Sequence, residues 1–424
     1  MTPSYRPRPV IIVTGANAGV GFGICHRLLL NLSRSHPEDA LPQAGITSHF
    51  PPQPSEQFDD GPCDGLTLIM ACRRVKIAET ARTKLLKLLD ADIARQKRTK
   101  SYDGHAEVFR KNLRIDIQYI DLAVVRSIMD FGETIRVGYP YVSHLICNAG
   151  VASFCGINYL QATVQMLKEP IRAVTTPEYN IQRVGEMSVD GLGWVWQCNI
   201  FGNYVLYRIL QPQLNAYFTS TSQKARVIWM SSLEAISKFY DPADRQLIKS
   251  AHSYECSKFQ LDLLVGHLEQ MKPDVAVKHL LMHPGVVVTN ISFLPIGWWM
   301  VLPMYLAFWL AKLLGSPNHP LKAYKSAITP VHLSIAHLKL LAPSIADSQQ
   351  NGNGNLDQSP RSPPKFGSQT TYWGRPIVGV ADVEDWETYH AEGGRIADDC
   401  ERLYETFLKS EGAEPQIETA SQHY

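Results

Sequence analysis

Apolar residues fall along this chain in two rhythms. Short runs bounded by glycine or polar residues, Val10–Val13, Leu66–Ala71, Arg114–Ile120, Val142–Cys147, Arg226–Met230 and His279–Met282, are too brief for helices and read as strands. Between them, apolar residues return every three or four positions over roughly 22–32, 75–98, 188–218 and 251–271, as in helices with one buried face. One more helix fits between Leu122 and Val142. Strands that are apolar nearly throughout, alternating with helices, predict an α/β fold built on a doubly wound parallel sheet covered on both faces. Ligands in such sheets bind outside the carboxyl ends of the strands. Functional side chains are therefore expected just after Val13, Ala71, Ile120, Cys147, Met230 and Met282.

Several stretches break the alternation. Residues 33–65 are rich in Pro, Ser, Gly and Asp without periodicity, which predicts a partly disordered surface insertion, and 151–185 reads as a second, irregular one. Leu294–Leu314 holds three Trp and one charge, Lys312. As a helix it would measure about 31 Å, near the hydrocarbon thickness of a bilayer, but Pro295 and Pro303 interrupt it. A single span would also put Tyr372–Val380, which looks folded, on the far side from the sheet. The expectation is an apolar membrane-associating segment over 293–316, in-plane or re-entrant, with a buried helix or a lid over an apolar ligand as the alternative. Residues 345–369 read as a flexible loop and 381–410 as an acidic amphipathic helix. The expected organisation is one domain over 1–292, the apolar segment, and a C-terminal extension over 317–424.

Composition narrows the partners. The chain has 424 residues, 45% of them hydrophobic, and a formal net charge of +1. That balance predicts no nucleic-acid partner, which would call for a basic face. The eight Cys form no CxxC pair and read as reduced thiols facing the cytosol. No secretory signal is expected, because the polar, Pro-rich first nine residues lead straight into the first strand. No metal site is expected either: His279 and His283 lie on a strand, where four residues span roughly 13 Å.

The chemistry sits at the strand ends. Thr14-Gly15-Ala16-Asn17-Ala18-Gly19-Val20-Gly21 joins a strand to a helix, and Gly15, Gly19 and Gly21 let the backbone approach a pyrophosphate at the helix N-terminus. Arg73 and Arg74 end the second strand, where an acid would take a ribose 2′-hydroxyl and an arginine accommodates a 2′-phosphate; NADP(H) is therefore favoured over NAD(H). Asp121, after the third strand, could accept from the adenine amino group or cap a helix. Tyr254 and Lys258 are four apart and share a helix face. A nearby ammonium and a cationic nicotinamide would lower the phenol's pKa and make it a proton donor to a carbonyl oxygen as hydride arrives at carbon. Alone this spacing describes any amphipathic helix; with Ser232, Asn199 and the glycine loop it describes a site.

As an ordered set these motifs resemble the short-chain dehydrogenase/reductase family, whose fold is Rossmann-type. TGxxxGxG matches Thr14–Gly21, NAG matches Asn148-Ala149-Gly150, the helix asparagine matches Asn199, the strand-end serine Ser232 with Ser231 beside it, YxxxK matches Tyr254 and Lys258, and PGxxxT matches Pro284-Gly285 through Thr289. The match covers about 8–292. It implies Tyr254 as general acid, Lys258 on the nicotinamide ribose, Ser232 on the substrate carbonyl and Asn199 holding a relay water. It further implies Asn148-Ala149-Gly150 beside the adenosine and Thr289 at the carboxamide. Ser232 and Tyr254 are farther apart than is usual in the family, which leaves Ser231 open as the alternative. Within the family, the long form, the two insertions, Ala71-Cys72-Arg73-Arg74 and the Trp-rich segment resemble the fungal 3-keto-steroid reductases of sterol C-4 demethylation. That implies NADPH-dependent reduction of a 3-keto sterol to the 3β-alcohol. It also implies an endoplasmic-reticulum or lipid-droplet membrane surface with the catalytic domain facing the cytosol, and other C-4 demethylation enzymes as partners. A retinol- or lipid-type dehydrogenase/reductase and a non-catalytic scaffold are the alternatives.

Overall fold

In the first strand, Val10 and Ile12 enter one core while Ile11 and Val13 enter another, the alternation that any strand imposes. All four are buried, so the strand lies between two helical layers. The computed structural model, which describes residues 8–50, 62–270, 274–288, 298–341 and 361–410, repeats this arrangement across one large sheet. Its strands in chain order are β1 (Val10–Thr14), β2 (Thr67–Cys72), β3 (Arg114–Tyr119), β4 (His144–Cys147), β5 (Phe154–Ile157), β6 (Asn180–Gln182), β7 (Ala225–Met230), β8 (Val277–His283), β9 (Lys365–Thr370) and β10 (Pro376–Ala381). Eight form the sheet, in the order β10-β9-β8-β7-β4-β1-β2-β3, and β5 pairs with β6 separately. Every neighbouring pair in the large sheet is parallel except β9–β10. The chain winds outward through β2 and β3, then returns to the other side of β1 at β4. The order reverses between β1 and β4, and that crevice is where such sheets bind ligands.

One face is covered by helices Val125–Gly138, Gly202–Thr221, Ser253–Gln270 and Trp386–Ser410, around Phe131, Phe201, Trp229 and Phe259. The other is covered by Gly19–Leu32, Val75–Gln96 and Ile328–Ile335, around Ile24, Leu28, Leu85 and Phe109. The α/β, doubly wound reading therefore stands.

The structure departs from the sequence reading in four places. The helix expected from 188 starts at Trp194, because Ser188–Leu192 closes a turn and Met187 bridges Gly193 first. In 33–65, the described part contains a built corner rather than a loose loop: Asp39 receives both Arg27 Nε and Nη2, at 2.5 and 2.7 Å, with both side chains buried. The stretch 151–185 is not irregular. It folds as the β5–β6 ribbon and helices Tyr159–Lys168 and Pro170–Thr175.

The largest departure lies in 317–424. β9 joins β8 in parallel and β10 closes the edge, so Lys365–Thr370 is sheet, not the end of a flexible loop. Trp386 buries its ring where a Cβ on Gly266 would lie 2.4 Å away, which docks the acidic helix Trp386–Ser410 on Ser253–Gln270. The C-terminal part thus completes the same sheet. The apolar segment forms helix Trp298–Leu313 with Pro303 inside it. Among the described residues no helix is long and apolar enough to cross a membrane.

Candidate active site

The turn after β1 is shaped by what its glycines lack. A Cβ on Gly21 would stand 2.3 Å from the Gly15 carbonyl oxygen and 2.7 Å from Asn148 Nδ2, closer than any side chain tolerates. Gly15 itself has φ +66°, a conformation that strains residues with a Cβ. The helix beginning at Gly19 has no side-chain cap and no acid in its first turn, so its N–H groups and dipole face the crevice unopposed. Thr14 and Asn148 lock the turn to β4. Thr14 Oγ1 donates to the Ile146 carbonyl (3.3 Å) and accepts from the Ala149 amide (2.9 Å), while Asn148 Nδ2 donates to the Thr14 carbonyl (2.7 Å). Asn17 and Val20 lie in this same turn and its first helical residues.

At the next strand end Arg73 and Arg74 are exposed. Arg73 Nη1 lies 3.7 Å from Asp121 Oδ2, so the end of β2 and the end of β3 meet at the rim. Asp121 is not a helix cap: its Oδ1 accepts from the Ala123 amide, and the helix amide at Val125 is satisfied by Asp190.

On the other side of the crevice the expected catalytic side chains converge. Ser231 and Ser232 end β7 with opposite uses. Ser231 Oγ donates to the Lys258 carbonyl (3.4 Å), so it ties strand to helix. Ser232 Oγ accepts from the Glu234 amide (3.1 Å) and lies near enough to the Tyr254 phenol to draw its pKa down. Of the two, Ser232 is the one set beside the Tyr254 phenol. Lys258 Nζ lies over the Tyr254 ring, 5.8 Å from its centroid, and donates to the Met230 carbonyl (2.9 Å). Asn199 sits in a π-helical turn, Gln197–Phe201, and spends its carboxamide on Val151 N, Val151 O and Ser257 Oγ at 2.8–2.9 Å. Its observed contacts thus hold the loop after Gly150 against the Tyr254 helix. Gly150 is wedged there: a Cβ would lie 3.0 Å from Asn199 Oδ1 and 3.5 Å from Lys258 Nζ.

Electrostatics departs from the simple expectation. Enclosure raises the Tyr254 pKa, and Glu234 and Glu255 push the same way, against the nearby Ser232 hydroxyl, which lowers it. The protein's own groups therefore keep the phenol protonated rather than acidifying it. Enclosure lowers Lys258 to about 8, with Lys365 adding to the shift and Asp262 opposing it.

Several of these groups carry no motif. Gln182 of β6 accepts from Ser253 Oγ and the Tyr254 amide (3.1 and 2.9 Å) and donates to Glu255, thereby capping the Tyr254 helix. Phe154 meets the Tyr254 ring edge-on at 5.5 Å. Glu234 has a buried Oε2 without a hydrogen-bond partner, and enclosure and Glu255 hold its pKa well above the carboxylate range. Pro284 and Gly285 follow β8, with Gly285 at φ +70° and Pro284 O accepting from Ser326 (2.6 Å). Thr289 lies outside the described residues.

This arrangement can hold a dinucleotide across the β1/β4 switch point and present a neutral phenol to a carbonyl. No protein-family model matches the chain. Among curated proteins it is 30% identical over 325 residues to the 3-keto-steroid reductase of Kluyveromyces lactis, covering 77% of this chain and 80% of that one. It is 30% identical to the Saccharomyces cerevisiae 3-keto-steroid reductase over 278 residues, 65% of this chain and 73% of that one. To the Aspergillus fumigatus 3-keto-steroid reductase it is 27% identical over 410 residues, 89% and 82% of the two chains. With likeness of that depth running across most of both chains, the chain belongs to the 3-keto-steroid reductase family of short-chain dehydrogenases/reductases.

Proposed function

We propose that the protein is an NADPH-dependent reductase that converts the 3-ketone of a C-4 demethylated sterol to the 3β-alcohol. The observation that carries the reading is the meeting of the Ser232 hydroxyl, the Tyr254 phenol and the Lys258 ammonium beside the glycine turn. When bound, the reduced dinucleotide supplies the hydride. The Gly15–Gly21 turn takes its pyrophosphate, Arg73 and Arg74 its 2′-phosphate and Lys258 its nicotinamide ribose. The cradle suits this group because a Cβ on Gly21 would fill it and no acid stands at the helix start to repel phosphate. Ser232 and Tyr254 orient the ketone oxygen. As carbon gains hydride, the carbonyl π pair moves to oxygen and Tyr254 Oη gives up its proton there, leaving alcohol and phenolate. A phenol held protonated through neutral pH suits reduction, whereas the reverse reaction would need it ionised. The test is oxidation of NADPH by the purified chain with a 3-keto sterol, and with retinal as the competing substrate. Arg73→Ala/Arg74→Ala is expected to weaken NADPH binding at least tenfold, the loss of about 1.4 kcal/mol, while leaving NADH binding unchanged.

The same reading includes a membrane surface, because a sterol partitions into lipid. On helix Trp298–Leu313, Leu302, Leu306, Trp309, Leu310 and Leu313 are exposed along one side, at helical spacing. At the tip of the β9–β10 hairpin Trp373 is 90% exposed. Lys325 Nζ donates to the Gly374 carbonyl there (2.6 Å), and Lys312 Nζ would lie 2.7 Å from a Cβ on Gly374. An apolar helix face, a bare Trp and adjacent cations suit a helix lying in the headgroup layer. Sixteen residues, about 24 Å of helix, suit a span less well. A cavity of about 450 Å³ opens between 171–176 and 314–318, where the helix leads back to the insertion. Trp373→Asp with Leu306→Asp is expected to abolish co-sedimentation with phosphatidylcholine–phosphatidylserine vesicles while sparing NADPH binding. The endoplasmic-reticulum or lipid-droplet address, the cytosolic orientation and the C-4 demethylation partners rest on the sequence resemblance. Imaging and affinity capture of the tagged chain test them.

A further inference from the structure

Lys258 shares its helix with Asp262, one turn further on, close enough for a direct ion pair between two buried side chains. Yet Lys258 Nζ donates to the Met230 carbonyl, and the carboxylate is taken by another cation: Lys365 Nζ of β9 lies 2.6 Å from Asp262 Oδ2. The pair is enclosed, with side chains only 9% and 1% exposed. Lys365 Nζ also donates to the Ser232 carbonyl at 2.7 Å. Ser231 Oγ donates to the Lys258 carbonyl, and the second carboxylate oxygen of Asp262, Oδ1, is buried without a hydrogen-bond partner, so Lys365 is the group that holds this carboxylate. One cation, contributed from far along the chain, therefore fixes the strand end that carries Ser232 and occupies the carboxylate nearest to Lys258.

We propose that Lys365 is a positioning residue of the reductase site: it holds the Ser232 backbone and neutralises Asp262, so that the Lys258 ammonium stays free to reach the cofactor instead of pairing along its own helix. The inference rests on the reductase reading above. A buried carboxylate without its cation is costly and captures the nearest available one, and in this neighbourhood that is Lys258. The groups whose charge acts on Lys258 are Asp262 from its own helix, Lys365 from β9 and the Cys147 thiol from β4. Enclosure pushes the Cys147 pKa up, so it stays neutral and cannot substitute for the carboxylate. The pull of Lys365 on Lys258 is downward and that of Asp262 upward. Removing Lys365 alone leaves the upward pull of Asp262 opposed by enclosure but by no other charge.

The test measures NADPH affinity by fluorescence against pH, and kcat and KM for a 3-keto sterol, in the full chain and in Lys365→Met, Asp262→Asn, the double variant and Lys258→Met. With Lys365→Met, NADPH binding is expected to weaken at least tenfold at pH 7, and the alkaline fall in affinity, near pH 8 in the unaltered chain, is expected to move upward. The double variant, which strands no charge, is expected to recover most of the affinity and the original pH profile. Its recovery remains measurable even if Lys365→Met does not fold. Lys365→Met with unaltered affinity and profile, or a folded double variant as impaired as the single one, overturns the proposal. Lys258→Met as active as the unaltered chain overturns the reductase reading instead, so the two failures are told apart.

Discussion

Tyr254→Phe is expected to lower kcat/KM for a 3-keto sterol by roughly 10²–10⁴-fold, the range that a positioned proton donor contributes. The substitution removes one oxygen and little else. The ring's edge-on contact with Phe154 at 5.5 Å survives, as does the helix cap from Gln182, which binds the Tyr254 amide. NADPH affinity should therefore stay as it was and the loss should fall on kcat. Enclosure and the two glutamates keep the phenol protonated, so the deficit should appear undiminished from about pH 6 to 8, well below the ordinary phenol pKa. A pre-steady-state measurement of NADPH oxidation, with cofactor affinity determined in parallel, separates the lost proton from lost binding.

Gly21→Ala should do the opposite, damaging cofactor binding and leaving the proton donor intact. Its Cβ would press on the Gly15 carbonyl oxygen at 2.3 Å and on Asn148 Nδ2 at 2.7 Å. The first contact is backbone and the second is an amide already donating to Thr14 O, so neither can yield without opening the turn. Overpacking of this kind costs about 1–3 kcal/mol, which corresponds to roughly 5- to 150-fold in NADPH affinity at 1.4 kcal/mol per decade. Calorimetry of NADPH binding checks it. Because the clash is present with or without cofactor and Gly21 is buried, the weakened binding is expected to come with a lower melting temperature of the cofactor-free chain.

These two residues were legible in the chain because their signals are local. Gly21 lies in a glycine pattern directly after an apolar run, and Tyr254 and Lys258 are one helical turn apart. Arg73 and Arg74 follow from position alone, at the end of a strand. Other parts of the site depend on long-range contacts that no local pattern encodes. Lys365 stands in a short strand, Lys365–Thr370, with mostly polar side chains, reached only after the interruption at 284–364. Nothing in its own neighbours says that it pairs with β8 or reaches Asp262. Gln182 and Phe154 belong to an insertion without periodicity, and their roles come from touching the Tyr254 helix. The choice between Ser231 and Ser232 was open in sequence because adjacent residues at a strand end face opposite ways. The structure ties Ser231 to the Lys258 carbonyl and sets Ser232 beside the phenol. The surroundings of Tyr254 are legible only in part for a related reason: the lysine four residues on is visible in sequence, whereas the enclosure and the nearness of Glu234 are not.

The proposed reduction turns on a phenol at Tyr254 handing its proton to a ketone oxygen. The most direct measurement incubates the purified full chain with NADPH and a 3-keto sterol, with and without Tyr254→Phe, and identifies the product by gas chromatography and mass spectrometry. The predicted result is one 3β-alcohol formed per NADPH oxidised by the unaltered chain and almost none by the variant. Equal yields from both chains, or NADPH oxidation without alcohol, would contradict it.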